Sequence, residues 1–211
     1  MPLSHVDRDP SRWAIALGRG RSALATLAVL AGLSLAAAAP VMAYEPGDLA
    51  KVEAMVRAGY ADVAQLPTEL FAELTERGER LLVFDVREEE EFRVSHLPGA
   101  IRVDPGTWSW TFLRNHAEAA KGKRLVFYCS VGVRSSRLAG RVQDALMERG
   151  ASGVYNLAGG LFRWHNEGRA LVDETGPTPL IHPYDAHWGG LIERRQLTAT
   201  SPRAAQAAAP R

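Results

Sequence analysis

The chain has 211 residues, 46% of them apolar and 23% charged, with a formal net charge of +1. That is the composition of an ordinary globular protein with one domain and extensions. No basic patch points to nucleic acid, no long acidic or basic tract points to an interaction tail, and a single cysteine excludes both an internal disulfide and a CxxC redox or zinc motif.

The first 43 residues read as a signal peptide. Arg8, Arg12, Arg19 and Arg21 form a positive region, and Ala23 to Ala39 is a run of small and apolar residues. Pro40 and the small-residue pattern Val41-Met42-Ala43 then suit cleavage before Tyr44, giving an exported chain, periplasmic in a Gram-negative source. The alternative is an uncleaved anchor, for which a run of about 17 residues stands at the lower limit. Gly20 separates Arg19 from Arg21, so a twin-arginine signal is absent.

Residues 44–60 read as a lead segment, 61–172 as an α/β domain, 173–197 as an extension packed on it, and 198–211 as a disordered tail rich in Ala, Pro, Ser and Thr. Leu66–Leu74 suggests a helix leading into the domain. Leu81-Leu82-Val83-Phe84-Asp85 reads as a buried strand, Glu88–Phe92 as a short helix and Ala100–Val103 as a short strand. Leu125-Val126-Phe127-Tyr128 is strongly β-forming. From Ser135 to Arg149, Leu138, Val142, Ala145 and Leu146 recur at helical spacing, and Gly150 ends the helix. Gly153-Val154-Tyr155-Asn156 opens another strand. Alternating strands and helices predict a central, mostly parallel sheet flanked by helices on both faces. No internal repeat is visible.

The chemistry centres on Cys129-Ser130-Val131-Gly132-Val133-Arg134-Ser135, between a strand and a helix at the carboxyl edge of the sheet. A loop closing onto a helix N-terminus aims backbone N–H groups inward, and with the helix dipole they cradle an anion. A cysteine there is stabilised as thiolate. Gly132 permits the turn, Arg134 adds positive charge, and Ser135 can cap the helix or donate to the anion. The plain alternative is a buried structural thiol. The strand, Cys-x4-Arg-Ser and helix together favour the functional reading.

Three stretches resemble the rhodanese family in the expected order over about residues 61–172. Phe84-Asp85-Val86-Arg87 followed by Glu91-Phe92 and His96-Leu97-Pro98-Gly99-Ala100-Ile101 is similar to its D-V-R…E-[YF]…H-I-P-G-A signature, with Glu89 and Ser95 standing where Pro and Gly are common. The Cys129–Ser135 loop is the second. Tyr155-Asn156-Leu157-Ala158-Gly159-Gly160 with Trp164 and Gly168 is the third. Without a repeat, a tandem pair of such domains is excluded.

The resemblance implies a sulfurtransferase. Cys129 takes a sulfane sulfur from a small sulfur-containing anion such as thiosulfate or a polysulfide. It holds it as a persulfide, stabilised by the loop's N–H groups, and passes it to a thiol, to cyanide or to a protein acceptor. Cys129 and Arg134 are the expected catalytic residues, with Ser130, Val131, Gly132, Val133 and Ser135 binding the substrate. No metal or organic cofactor is needed, and no membrane span is expected in the mature chain. Asp85 is expected to brace the loops through backbone hydrogen bonds, and Arg87 to pair with Glu91 at i, i+4.

His96 is expected to be structural and Trp164 to be core. Gly159-Gly160 should let a helix start tightly against the site, and Trp108 and Trp110 are candidates for an apolar rim. In His182-Pro183-Tyr184…His187-Trp188-Gly189, packing of Tyr184 and Trp188 is a better reading than a metal at His182 and His187. Two rivals remain. Cys-dependent phosphatases and arsenate reductases use a longer Cys-x5-Arg loop, which disfavours them here. A sulfur carrier, sensor or protein-binding module with poor turnover fits a loop in which Ser130, Val131 and Val133 carry no charge.

Overall fold

The computed structural model describes residues 44–203 except Pro46. The signal-peptide segment lies outside the described residues, as do residues 204–211. Among the described residues no helix is long and apolar enough to cross a membrane.

In chain order the elements are α1 (Leu49–Gly59), β1 (Ala64–Leu66), α2 (Thr68–Glu76), β2 (Leu81–Asp85), α3 (Glu89–Val94), β3 (Ile101–Arg102), α4 (Ser109–Ala120), β4 (Arg124–Tyr128), α5 (Val133–Glu148), β5 (Gly153–Leu157), α6 (Gly160–Asn166), β6 (Leu171–Asp173), β7 (Gly176–Thr178) and α7 (Ala186–Gly189). A 3₁₀ turn at Arg195–Leu197 follows. The five-stranded sheet has the order β1-β5-β4-β2-β3, and every pairing in it is parallel. This is the α/β architecture with helices on both faces that the sequence predicts. β6 and β7 form a separate antiparallel ribbon.

β4 is the central strand, and its apolar run feeds both layers, as a strand buried on two faces requires. Leu125 and Phe127 pack with Phe84, Phe112, Leu138, Val142 and Leu146 beneath α4 and α5. Val126 and Tyr128 point the other way, into a cluster with Phe71, Leu157, Leu161 and Phe162. Each side of the sheet therefore has its own core, and the C-terminal ends of β2 and β4 are held rigidly between them.

The two ends of the domain and one helix start show detail beyond what was expected. The lead segment is part of the core: α1 buries Leu49, Val52 and Val56 in the same cluster as Leu157 and Leu161. The helix expected at Leu66–Leu74 begins at Thr68, because Ala64–Leu66 pairs with β5 as an edge strand and Pro67 precedes the first turn. At the other end, disorder from Thr198 onward does not hold for residues 198–203. Thr198 bridges Ile181, the Ala199 N–H donates to the Ile181 carbonyl at 2.9 Å, and Arg203 pairs with Asp173 at 3.1 Å. Composition predicts disorder because it is blind to these backbone pairings. Over 173–197 the extension buries Ile181, Leu191 and Ile192 in the core.

Gly160 sets the distance between α6 and the β4–α5 loop. Its φ is +57°, and a Cβ there would collide with the Cys129 carbonyl oxygen. Gly160→Ala combines a left-handed penalty of about 1–2 kcal/mol with overpacking of about 1–3 kcal/mol. Chemical denaturation should show a loss of about 2–5 kcal/mol, whereas Gly78→Ala, with open space at its Cβ, should lose only the backbone penalty.

Candidate active site

β2 and β4 pair in register, so Asp85 and Tyr128 end side by side at the carboxyl edge. Both are fully buried. The Tyr128 hydroxyl donates to Asp85 Oδ2 at 2.6 Å and accepts the Leu97 N–H at 3.1 Å. Arg87 donates Nε to Asp85 Oδ1 at 2.8 Å and Nη2 to Asp85 Oδ2 at 2.6 Å, and Nη2 also reaches the Ser95 carbonyl at 2.6 Å. Burial alone would lower the Arg87 pKa, but Asp85 outweighs it and holds the guanidinium charged. Burial and the Asp85 charge push the Tyr128 hydroxyl well up, so it stays a donor. Asp85 thus braces the edge through its side chain, and its carbonyl also accepts the Val103 N–H at 2.8 Å, a backbone bond of the expected kind.

The expected Arg87–Glu91 pair does not form. Arg87 turns inward to Asp85, and Glu91 turns across to the reactive loop. There Glu91 accepts a bidentate pair from Arg134, Nη1 to Oε2 at 2.7 Å and Nη2 to Oε1 at 2.8 Å, and the Ser130 hydroxyl donates to Oε1 at 2.6 Å. Oε2 also accepts the Glu88 N–H at 3.1 Å, closing a capping box at the start of α3. Burial would raise the Glu91 pKa, but Arg134 first, then Arg87 and Ser130, bring it below the usual range.

Cys129 follows β4 directly and is 1% exposed. The loop's carbonyls face away from the sulfur: those of Cys129 and Ser130 accept the Leu161 and Phe162 N–H groups, each at 2.9 Å. Its N–H groups face inward, and Gly132 N donates to Sγ at 3.2 Å. Gly132 takes φ +99° to make that turn, and a Cβ would sit 3.0 Å from Asn156 Nδ2. Burial alone would push the Cys129 thiol up. The Arg134 charge, the Ser135 hydroxyl and the N–H groups of Ser135 and Val131 outweigh it and hold the thiol below its ordinary value. The result is a buried thiol of lowered pKa in a nest of donors at a helix N-terminus.

Cys129, Ser130, Val131, Val133 and Arg134 line a cavity of about 160 Å³, closed by Tyr184 and Trp188. Of the residues expected to bind substrate, Val131 and Val133 supply apolar wall. Ser130 also faces the cavity, but its hydroxyl is committed to Glu91. Gly132 and Ser135 serve the sulfur from the loop side, with Ser135 held by Asn156 Oδ1 at 2.6 Å. Trp108 and Trp110 do not form the rim; they are 72% and 60% exposed and lie outside the cavity. His96 stacks on Phe92, with its ring bonded to the Phe92 carbonyl at 2.9 Å, and Trp164 is buried. A larger cavity, about 570 Å³, lies over Leu81 and Val83 and contains none of the loop residues. Among the described residues no cluster of His, Cys, Asp or Glu could hold a metal.

Glu91, Asn156, Tyr184 and Trp188 are the site residues that sequence reasoning did not place. Glu91 was legible in its motif but was assigned the partner four residues away rather than the one across the fold. For Tyr184 and Trp188 the signal was an aromatic pair in an extension that also carries Ile181, Leu191 and Ile192.

Residues 67–167 match the Rhodanese-like domain family, and the protein carries a rhodanese-like domain over that span. The tRNA uridine(34) hydroxylase of Bacillus pumilus is 34% identical over 84 residues, which cover 38% of this chain and 24% of that protein. The chain thus spans about a quarter of the length of this curated relative. Among solved structures, the thiosulfate sulfurtransferase of Pseudomonas aeruginosa has 20% identity and a TM-score of 0.45, covering 60% of this chain and 23% of that one. A protein of unknown function from Rhodopseudomonas palustris, described as a possible tyrosine phosphatase, has 24% identity and a TM-score of 0.46, covering 56% and 91%.

Two predictions follow from the Glu91–Arg134 pair. Arg134→Met leaves a buried carboxylate unpaired and should cost about 3–5 kcal/mol in denaturant unfolding, much of it recovered in the double variant Glu91→Gln/Arg134→Met. The second is read by the pH profile of iodoacetamide alkylation. Wild-type Cys129 should titrate below an ordinary free thiol. Glu91→Gln should move the midpoint further down, since a nearby negative charge is removed, and Arg134→Met should move it up. Because the folded thiol pKa is depressed, its contribution to stability is complete above the unfolded value and is lost as pH falls through the folded one.

Proposed function

We propose that the protein is an exported sulfurtransferase that carries a sulfane sulfur as a persulfide on Cys129. The observation that carries this reading is the thiol itself. It is buried, held below its ordinary pKa, and accepts a backbone N–H at 3.2 Å from a short Cys-x4-Arg loop at a helix N-terminus.

The thiolate attacks the outer sulfur of a donor. A bond forms between Sγ and that sulfur, and the bond from it to the remainder of the donor breaks. From thiosulfate the leaving group is sulfite; from a hydropersulfide RSSH it is the thiolate RS⁻, which takes the proton from the transferred sulfur and departs as RSH. The enzyme holds Cys129–S–S⁻, whose terminal charge is received by inward N–H groups already oriented for it, so no reorganisation is needed. A thiolate or cyanide then attacks the terminal sulfur and Cys129 leaves as thiolate, ready for a second cycle. The lowered thiol pKa favours the ionised nucleophile and reduces the need for a general base. Export is supported by Arg8, Arg12, Arg19 and Arg21 ahead of the Ala23–Ala39 run and by Val41-Met42-Ala43.

A non-turnover sulfur carrier is the second reading, favoured by the depth of Cys129. Mass spectrometry separates the two. Incubation with donor should add one sulfur to Cys129, and added cyanide or thiol should remove it repeatedly with ping-pong kinetics. Loading without turnover supports the carrier; no loading from any donor rejects both. Cys129→Ser, folded by circular dichroism, should show neither loading nor turnover. N-terminal sequencing of the secreted protein should begin at Tyr44; recovery of the unprocessed chain from the cytosol would reject export.

A further inference from the structure

Tyr184 and Trp188 belong to the extension, beyond the matched segment 67–167, yet they close the cavity over Cys129. Tyr184 lies over the Arg134 guanidinium at 4.8 Å from the ring centroid, covering the face of the charge that Glu91 does not hold by its edge. Tyr184 reaches this place in a left-handed conformation, φ +66°, the only non-glycine residue with positive φ among the described ones. An L residue adopts that conformation at a cost, and such strain persists where the surroundings fix it. They do so here: the Tyr184 N–H donates to His182 Nδ1 at 3.0 Å, and the Asp185 N–H donates to the Pro183 carbonyl at 2.9 Å. Trp188 is fixed from both sides, with its N–H on Asp185 Oδ1 at 2.8 Å and its ring against Tyr44 at 5.2 Å.

The wall around the thiolate is therefore Val131, Val133, Tyr184 and Trp188, and its one cation, Arg134, is already paired bidentately with Glu91. A small dianion entering this space loses its hydration with no free cation to replace it. A donor with one charged sulfur and an apolar remainder places the sulfur in the N–H nest and the remainder on the aromatic wall.

We propose that Tyr184 and Trp188 form a donor-selecting wall, and that the protein takes organic hydropersulfides with an apolar or aromatic substituent in preference to thiosulfate. This rests on the sulfur-transfer reading above and names its substrate class. In the loading step, Sγ bonds to the outer sulfur of RSSH, the S–S bond of the donor breaks, and RSH leaves with the proton.

The test compares kcat/KM for benzyl hydropersulfide and for thiosulfate in the wild type and in Tyr184→Ala, Trp188→Ala and Trp188→Phe. A parallel measurement needs no turnover: the rate of Cys129 alkylation by N-benzyl iodoacetamide relative to iodoacetate. The wild type should prefer the benzyl reagent in both assays. Each Ala variant should lose about tenfold or more of that preference, the effect of removing one buried aromatic contact, and Trp188→Phe should restore most of it. An unchanged preference in folded Ala variants overturns the proposal even if sulfur transfer proceeds. Alkylation that follows the aromatic wall while no donor loads Cys129 rejects sulfur transfer and leaves the wall's selectivity standing.

Discussion

The carboxylate of Glu91 is where the reactive loop is tied to the rest of the molecule. It is buried, and its two oxygens take the Arg134 guanidinium, the Ser130 hydroxyl and the Glu88 amide. An ion in that position is tolerated only because every one of these donors is present. The same contacts fix α3, the loop and the first turn of α5 relative to one another. Removing the carboxylate's partner therefore disturbs the position of the nucleophile and its charge together.

The pair also decides what kind of anion site this is. A cradle with a free arginine would attract any small anion. Here the guanidinium is paired at close range with Glu91, and the sulfur draws on the remaining Arg134 charge together with the Ser135 hydroxyl and backbone N–H groups that cannot be titrated. Behind the loop, Asp85, Arg87 and Tyr128 form a second charge-balanced cluster that serves as a rigid foundation. The buried charges on both sides of the loop are thus paired, carboxylate against guanidinium.

Much of this was legible in the sequence. The apolar run at β4 and the helical spacing after Ser135 are strong local signals, and Cys129 and Gly132 lie where the two meet. What was not legible depended on partners distant in the chain. Arg87 and Glu91 stand at helical spacing, so a local rule pairs them, yet each finds a better partner through the tertiary fold. Ser130 looks like a free donor until Glu91 arrives from 39 residues away. Tyr184 and Trp188 sit among turn residues without periodicity, so nothing local says which surface they cover. The docking of Thr198–Arg203 has the same origin, since a backbone pairing with Ile181 leaves no trace in composition.

Tyr44 stands at the start of the described chain, with its ring on His187 and Trp188 and its N–H donating to the His187 carbonyl at 3.2 Å. A Cβ on Gly190 would collide with the Tyr44 backbone, so the fit is close. Segments from the two ends of the described chain thus meet behind the wall of the reactive cavity. Protein engineers working at either end are consequently working near the active site. A purification tag joined directly to Tyr44, or a truncation within the extension, alters the support of Trp188 although Cys129 is more than eighty residues away along the chain from the one and more than forty from the other. A tag carried after Arg211 lies beyond Arg203, the last described contact of the tail, and leaves that support in place.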